Sequence, residues 1–338
     1  MLFRAFISLI AFLDILKRGS SFVVQPATHR ATHCEHRPLS ELRATQSPDN
    51  ENDKVFCLGV GFLQFLVVQQ LSLKGLKTVA MTDVQRVESM REVWVTSPLC
   101  TLVTNGETEW EEEAGKCTSM VICPEVANIP GKTVRALLNR MPNVNRIVVL
   151  NPPGTTKPEE EKKEENFFSS LFKPKGPSAT DDFMEYAKSV EEAVSDCVKN
   201  GEIDEAVIVH RGKLNGGGGE FGLGDNFYKV CGSEPEEVLQ KYYDQGRLGT
   251  TILPGDSMDT SPKMKKRVAK EGEDEEEIAK LNVLEEIRDK THRLSLANAV
   301  VSVLTMDDPP ERFTVVCTLD DVPMPLDEVT DNIKAVMS

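Results

Sequence analysis

Apolar positions in this chain fall into two patterns: short continuous runs, and longer stretches at about 3.6-residue spacing. The first clear unit spans residues 54–83. The run at 55–58 reads as a strand, Gly59-Val60-Gly61 as a tight bend, and 62–73 as a helix with Phe62, Leu63, Phe65, Leu66, Val67, Val68 and Leu71 apolar. Lys74-Gly75 supplies a helix stop, and 77–81 a second strand. Further strands are predicted at 99–104 (ended by Asn105-Gly106), 118–123 (closed by Pro124), 146–150 (ended by Asn151-Pro152-Pro153-Gly154) and 205–210. Helices are predicted at 131–141, through Val134, Leu137, Leu138 and Met141, and at 181–199. In the latter, Phe183, Tyr186, Val190, Ala193, Val194 and Cys197 form the apolar side. Residues 107–115 read as an acidic surface segment. Strands alternating with helices predict an α/β fold with a doubly wound parallel sheet. It forms a single domain over 53–338, with surface insertions at 155–180 and 258–277.

The first unit carries the candidate chemistry. A strand, a glycine turn and a helix N-terminus make an anion site, because unpaired backbone N–H groups and the helix dipole converge there. Asp83 stands 24 residues after Gly59, as a ribose-binding acid would. Dinucleotide binding in a Rossmann-like domain is therefore the leading reading, with Gly59, Gly61, Phe62, Leu63, Asp83 and Arg86 as candidate cofactor-binding residues. The fingerprint G-x-G-x-x-G is incomplete, since its third glycine is Gln64. The alternative is that Gly59 and Gly61 simply turn a βα corner beside an empty or closed cleft. Asp83 favours NAD and Arg86 favours NADP.

Composition narrows the functions. The chain has 54 acidic and 39 basic side chains, a net charge of −15. Removing residues 1–46 leaves 51 acidic and 33 basic side chains, a net charge of −18, which disfavours nucleic acid as a partner. Eight cysteines form no C-x-x-C pair; Cys57, Cys123 and Cys317 lie in predicted strands and read as small buried hydrophobes in a reducing compartment.

Residues 1–21 have Arg4, an apolar stretch at 5–13 and small residues at 19–21, the layout of a signal peptide. That stretch is too short to span a bilayer, and the mature chain is expected to have no transmembrane segment. Residues 22–50 form a transit-like tail without helical or strand period, basic and hydroxylated over 22–47. Ser20-Ser21-Phe22 followed by such a tail resembles the bipartite plastid-targeting presequence of algae with secondary plastids, such as diatoms, which implies the plastid stroma. His29, His33, Cys34 and His36 have ligand chemistry but no rigid scaffold, so no metal is expected.

A predicted helix at 181–199, the strand at 205–210, Arg211-Gly212 and the glycine run 216–219 follow in an order that resembles atypical short-chain dehydrogenase/reductases of the NmrA-like and plastid NAD(P)-binding type. Residues 293–304 look like their late helix, Asp308-Pro309-Pro310 its stop and 313–318 their terminal strand. The resemblance implies NAD(P) as cofactor, with NADP favoured. Active members place a serine after the fifth strand and a Tyr-x-x-x-Lys on the next helix. Here Asn151-Pro152-Pro153 ends the strand, Tyr186 is followed by Lys188 two positions on, and Val190 stands at the lysine position. No catalytic residue is assigned. The resemblance thus implies a plastid scaffold, assembly factor or redox sensor, with dinucleotide and plastid protein clients as partners. The alternative is an NAD(P)H-dependent oxidoreductase with a non-standard proton donor.

Overall fold

A run of apolar residues that ends in glycine starts the sheet: β1 (Lys54–Val60) enters helix α1 (Phe62–Leu73), which returns into β2 (Lys77–Thr82). In this computed structural model the described residues are 54–82, 99–104, 110–125, 129–152, 179–215, 248–259, 261, 263–270, 272–319 and 326–337. The chain divides into two units, 1–47 and 48–338, and every described residue belongs to the second.

The remaining strands are β3 (Cys100–Thr104), β4 (Ser119–Pro124), β5 (Arg146–Asn151), β6 (Glu205–Arg211), β7 (Lys213–Asn215), β8 (Leu248–Pro254), β9 (Lys290–His292) and β10 (Arg312–Leu319). The remaining helices are α2 (Trp110–Gly115), α3 (Gly131–Leu138), α4 (Ala179–Lys199), α5 (Glu275–Ile287), α6 (Arg293–Thr305) and α7 (Leu326–Met337). Eight strands form one sheet in the order β3-β2-β1-β4-β5-β6-β10-β8. All neighbours pair parallel except β8, which runs antiparallel to β10 from Phe313↔Pro254 to Leu319↔Leu248. The parallel, doubly wound Rossmann-like sheet expected from the sequence is thus present, with one antiparallel edge strand added.

Alternation along the strands explains why both faces are covered. Val55 and Cys57 of β1 join Val121 and Cys123 of β4 in a core with α1, α6 and α7. Phe56 joins Met120 and Ile122 in a second core with α2, α3 and α4. Helix α1 lies inside the first. Its residues Phe62 to Val68 are all buried, as a helix apolar on every side requires. It ends as the sequence predicts: Gly75 has φ +81°, its N–H reaches Ser72 O at 3.0 Å, and Leu76 N–H reaches Leu71 O at 3.0 Å. Those paired bonds close the last turn in a Schellman motif. Among the described residues no helix is long and apolar enough to cross a membrane.

Three local expectations change. Tyr186 does not lie on the buried side of α4; it is 38% exposed, and the buried stripe runs through Ala187, Val190, Val194 and Cys197 instead. The acidic stretch contains α2, whose Trp110 and Ala114 anchor it to the core while Glu111, Glu112 and Glu113 occupy its first turn. β4 ends at Pro124, but the proline is the last paired residue of the strand, opposite Val60, and not the residue after it. The insertion over residues 155–180 lies almost wholly outside the described residues.

Arg146, at the entry of β5, positions a distant helix. Its Nη1 donates to Leu304 O at 3.1 Å and Met306 O at 2.8 Å, and its Nε to Glu205 at 2.5 Å. The carbonyls at the C-terminus of α6 thereby gain a cation. With that end tied to the N-terminal edge of the sheet, the other end of α6 reaches the C-terminal edge.

Candidate functional site

At β1 and β4 the strand order reverses: β2 and β3 lie to one side, β5 and β6 to the other. In open α/β sheets this is where a ligand crevice opens, beyond the C-terminal strand ends. Gly59, Gly61, Phe62 and Leu63 all lie here. Phe62 and Leu63 are fully buried in the core beneath the turn, and Phe62 stacks on Phe65 with ring centroids 5.8 Å apart. Asp83 and Arg86 lie outside the described residues, as do His29, His33, Cys34 and His36.

Each glycine has a reason within the protein. A Cβ at Gly59 would stand 2.5 Å from Cys123 O, because β1 and β4 approach closely. Gly61 caps α1 at φ +137° and ψ −179°, a region that only glycine occupies readily, and a Cβ there would strike the carboxylate of Glu125. At the missing third glycine, Gln64 is fully buried, and its Nε2 donates to Cys57 O and Met81 O, each at 2.9 Å. Its amide ties the helix to the ends of β1 and β2, where a glycine would have allowed close packing.

Glu125, the residue after β4, is the centre of the site. Leu63 N–H donates to its Oε2 at 2.6 Å, and Arg293 Nε donates to its Oε1 at 2.7 Å. The two side chains are only 5% and 2% exposed. Arg293 is the first residue of α6. The small sheet β7–β9 brings it here, since Gly212 N–H donates to Thr291 Oγ1 at 2.8 Å and Lys213 N–H to Asp289 O at 2.7 Å. The same contact sets Arg211, at the end of β6, behind the strand ends, where it donates to Pro124 O and, at 3.2 Å, to Gly212 O. Burial pushes the Arg211 guanidinium down to about 10, with the Glu125 charge opposing and the Arg293 charge adding to the fall, so it stays charged at neutral pH. His292, beside Arg293, is buried and pushed down to about 4 by desolvation and by the Arg293 charge. Neither of its ring nitrogens has a partner among the described residues.

A second polar group lies at the ends of β5 and β6. Asn151 Nδ2 donates to Ala187 O at 3.2 Å and contacts Glu191 at 3.5 Å, and Glu191 pairs with Arg312 at 2.8 Å. His210 Nδ1 lies 3.3 Å from Pro152 O, and burial lowers the imidazole's pKa. On α4, Val190 is buried in the core and Tyr186 faces outward, so no lysine stands one turn after that tyrosine.

No family model matches the chain, and no curated protein matches it. The chain is similar to several solved structures. A protein described as an NAD-dependent epimerase/dehydratase from Bacillus halodurans gives a TM-score of 0.48 at 13% identity, covering 84% of this chain and 99% of that one. A short-chain dehydrogenase/reductase of the wide type from Veillonella parvula, in complex with NADP, gives 0.44 at 11% identity over 80% and 98%. Vestitone reductase from alfalfa gives 0.44 at 13% over 84% and 91%. The strand order and the parallel registers by themselves define the doubly wound α/β sheet.

The donor set fits an anion such as a pyrophosphate: a first-turn N–H of a helix, which has no partner within the helix, and a guanidinium directed at the same point. A carboxylate already seated on Leu63 N–H and Arg293 demonstrates that chemistry. It also takes the space that a phosphate at the Gly61 turn would need. Gln64, Glu125, Arg211, His292 and Arg293 are absent from the residues assigned from the sequence. The available signals were an acid immediately after a strand, Arg211 at a strand end and Arg293 at a helix start.

Proposed function

We propose that this protein is an NAD(P)-binding Rossmann-fold protein of the short-chain dehydrogenase/reductase type that works without the tyrosine–lysine proton relay, as a scaffold, assembly factor or redox sensor. One observation carries the reading: at the switch point of a doubly wound sheet, the N-terminus of α1 binds a negative group, through Leu63 N–H on the Glu125 carboxylate. Leu63 and Arg293 would hold the phosphates, and the Gly61 turn would let the backbone approach them. The nicotinamide would supply hydride chemistry when bound. NADP is favoured over NAD. Calorimetry and thermal unfolding of the full chain with NADPH and NADH test this. Saturable binding is expected, with a stabilisation of about 2.7 kcal/mol at a ligand concentration 100-fold above Kd; no binding of either ligand, to this protein or to its Glu125→Gln variant, refutes it.

A second reading, an oxidoreductase with a non-standard proton donor, draws on His210, a buried imidazole at the end of β6 whose Nδ1 lies 3.3 Å from Pro152 O and whose Nε2 has no partner among the described residues. NADPH oxidation against a panel of carbonyl compounds, abolished by His210→Phe, would support it over the scaffold role. The presequence over residues 1–21 and 22–50 supports a place in the plastid stroma. A full-length fluorescent fusion in a diatom should mark the plastid, and one lacking residues 1–21 the cytosol; secretion of the full-length fusion refutes the assignment.

A further inference from the structure

We propose that Glu125 is an internal substitute for phosphate, which holds the dinucleotide crevice closed and must leave before a cofactor can seat. This rests on the dinucleotide reading above. The two carboxylate oxygens divide between the two donors: Oε2 takes Leu63 N–H and Oε1 takes Arg293 Nε. A phosphoryl group on the same donors would present its oxygens in the same way. The position is fixed on a third side by Gly61, where any Cβ would meet Oε2. The carboxylate therefore occupies the cradle that the glycine turn makes, not a neighbouring place.

Charge points the same way. The Glu125 carboxylate brings one negative charge to a place where a helix N-terminus and Arg293 converge, with Arg211 near enough that both charges act on it. A pyrophosphate would bring its negative charge to the same helix N-terminus and the same Arg293 guanidinium. The unpartnered imidazole of His292 is an independent sign. It directly precedes Arg293, is 2% exposed and feels the Arg293 charge, and neither ring nitrogen has a partner among the described residues, so it is a buried polar group left open to a ligand.

A crevice closed by its own carboxylate has a measurable consequence. The observed affinity falls in proportion to the fraction of molecules in which Glu125 has moved away. Removing the carboxylate should therefore tighten ligand binding, although it deletes a charged residue from the core. A residue with only a structural role would change in the opposite direction or not at all.

The experiment measures binding of NADPH and of inorganic pyrophosphate to the full chain by calorimetry, for the natural protein, Glu125→Ala and Glu125→Gln, with thermal unfolding to establish that each is folded. Glu125→Gln keeps the shape and an acceptor oxygen while removing the charge, so it carries the test if the alanine variant does not fold. At least tenfold tighter binding of both ligands to the variants is expected. NADPH binding that is unchanged or weaker in both variants overturns the closure by Glu125 and leaves the dinucleotide reading standing. Tighter pyrophosphate binding with no dinucleotide binding to any form supports Glu125 as the guard of an anion site and overturns the dinucleotide reading. If neither ligand binds any form, both fall.

Discussion

Replacing Gly61 by alanine should cost far more than an exposed turn glycine would. Three effects meet at this atom. The backbone at φ +137°, ψ −179° lies in a region used almost only by glycine, worth about 1–3 kcal/mol for another residue. The new Cβ also drives the Glu125 carboxylate off Leu63 N–H, a hydrogen bond to a charged group worth about 1.5–3 kcal/mol. Displacing the carboxylate stretches its buried pairing with Arg293; complete removal of one partner of such a pair costs about 3–5 kcal/mol, so this contribution is smaller than that. A total of roughly 4–6 kcal/mol is expected, a large part of the 5–15 kcal/mol that holds a typical domain folded. Urea unfolding of the natural protein, Gly61→Ala, Glu125→Ala and the double variant measures it. Because the added methyl clashes with Glu125 itself, the double variant should be more stable than the sum of the single costs predicts, by at least about 1 kcal/mol. A Gly61→Ala cost below about 1 kcal/mol, or strictly additive costs, would refute the contact between this turn and the carboxylate.

Gln64→Gly, which completes the glycine fingerprint, should destabilise the protein rather than improve it. It loses two buried hydrogen bonds at about 1 kcal/mol each and places glycine in a helix at about 1 kcal/mol more, so a variant as stable as the natural protein in urea would contradict the tie between α1 and the strand ends. Stability should fall as pH drops from about 6.5 toward 4. The folded pKa of His292 lies below its unfolded value, so the unfolded chain binds more protons there, and the loss from His292 alone is on the order of 3 kcal/mol, with His210 acting in the same direction. His292→Phe should flatten that dependence in urea titrations across the range. Five of the six described cysteines should resist iodoacetamide at pH 8 in the folded protein, because burial raises the Cys57 and Cys123 thiols, pushes Cys100 and Cys197 up to about 11 and pushes Cys117 up to about 12. Labelling at Cys57 or Cys123 without unfolding, read by peptide mass spectrometry, would show that the sheet opens locally.

Local rules account for what could be read in the sequence. The run 55–58, the turn at Gly59 and Gly61, the apolar helix after it and the stop at Gly75 depend on neighbours a few residues apart, and all appear in place. The same holds for β4, β5 and β6, whose apolar runs are self-contained, while α6 and β10 stand where the family resemblance put a late helix and a terminal strand. The strand β8 is not legible in the sequence, because LGTTILP lacks a long apolar run and depends on β10 for its pairing. The side of α4 that faces the core depends on α3 and the sheet against which it docks, so the wide apolar stripe could not distinguish Tyr186 from Ala187. The centre of the site is the extreme case. Glu125 lies 62 residues from Leu63 and 168 from Arg293, and nothing in the spacing along the chain relates them. Their meeting depends on β4 ending beside β1, on Arg146 holding the far end of α6, and on β9 turning its near end toward the crevice. Hydrophobic periodicity specifies which residues turn inward. Only the order in which the strands assemble decides which buried charges face one another, because a charge in a dry interior must find its partner wherever the fold places one.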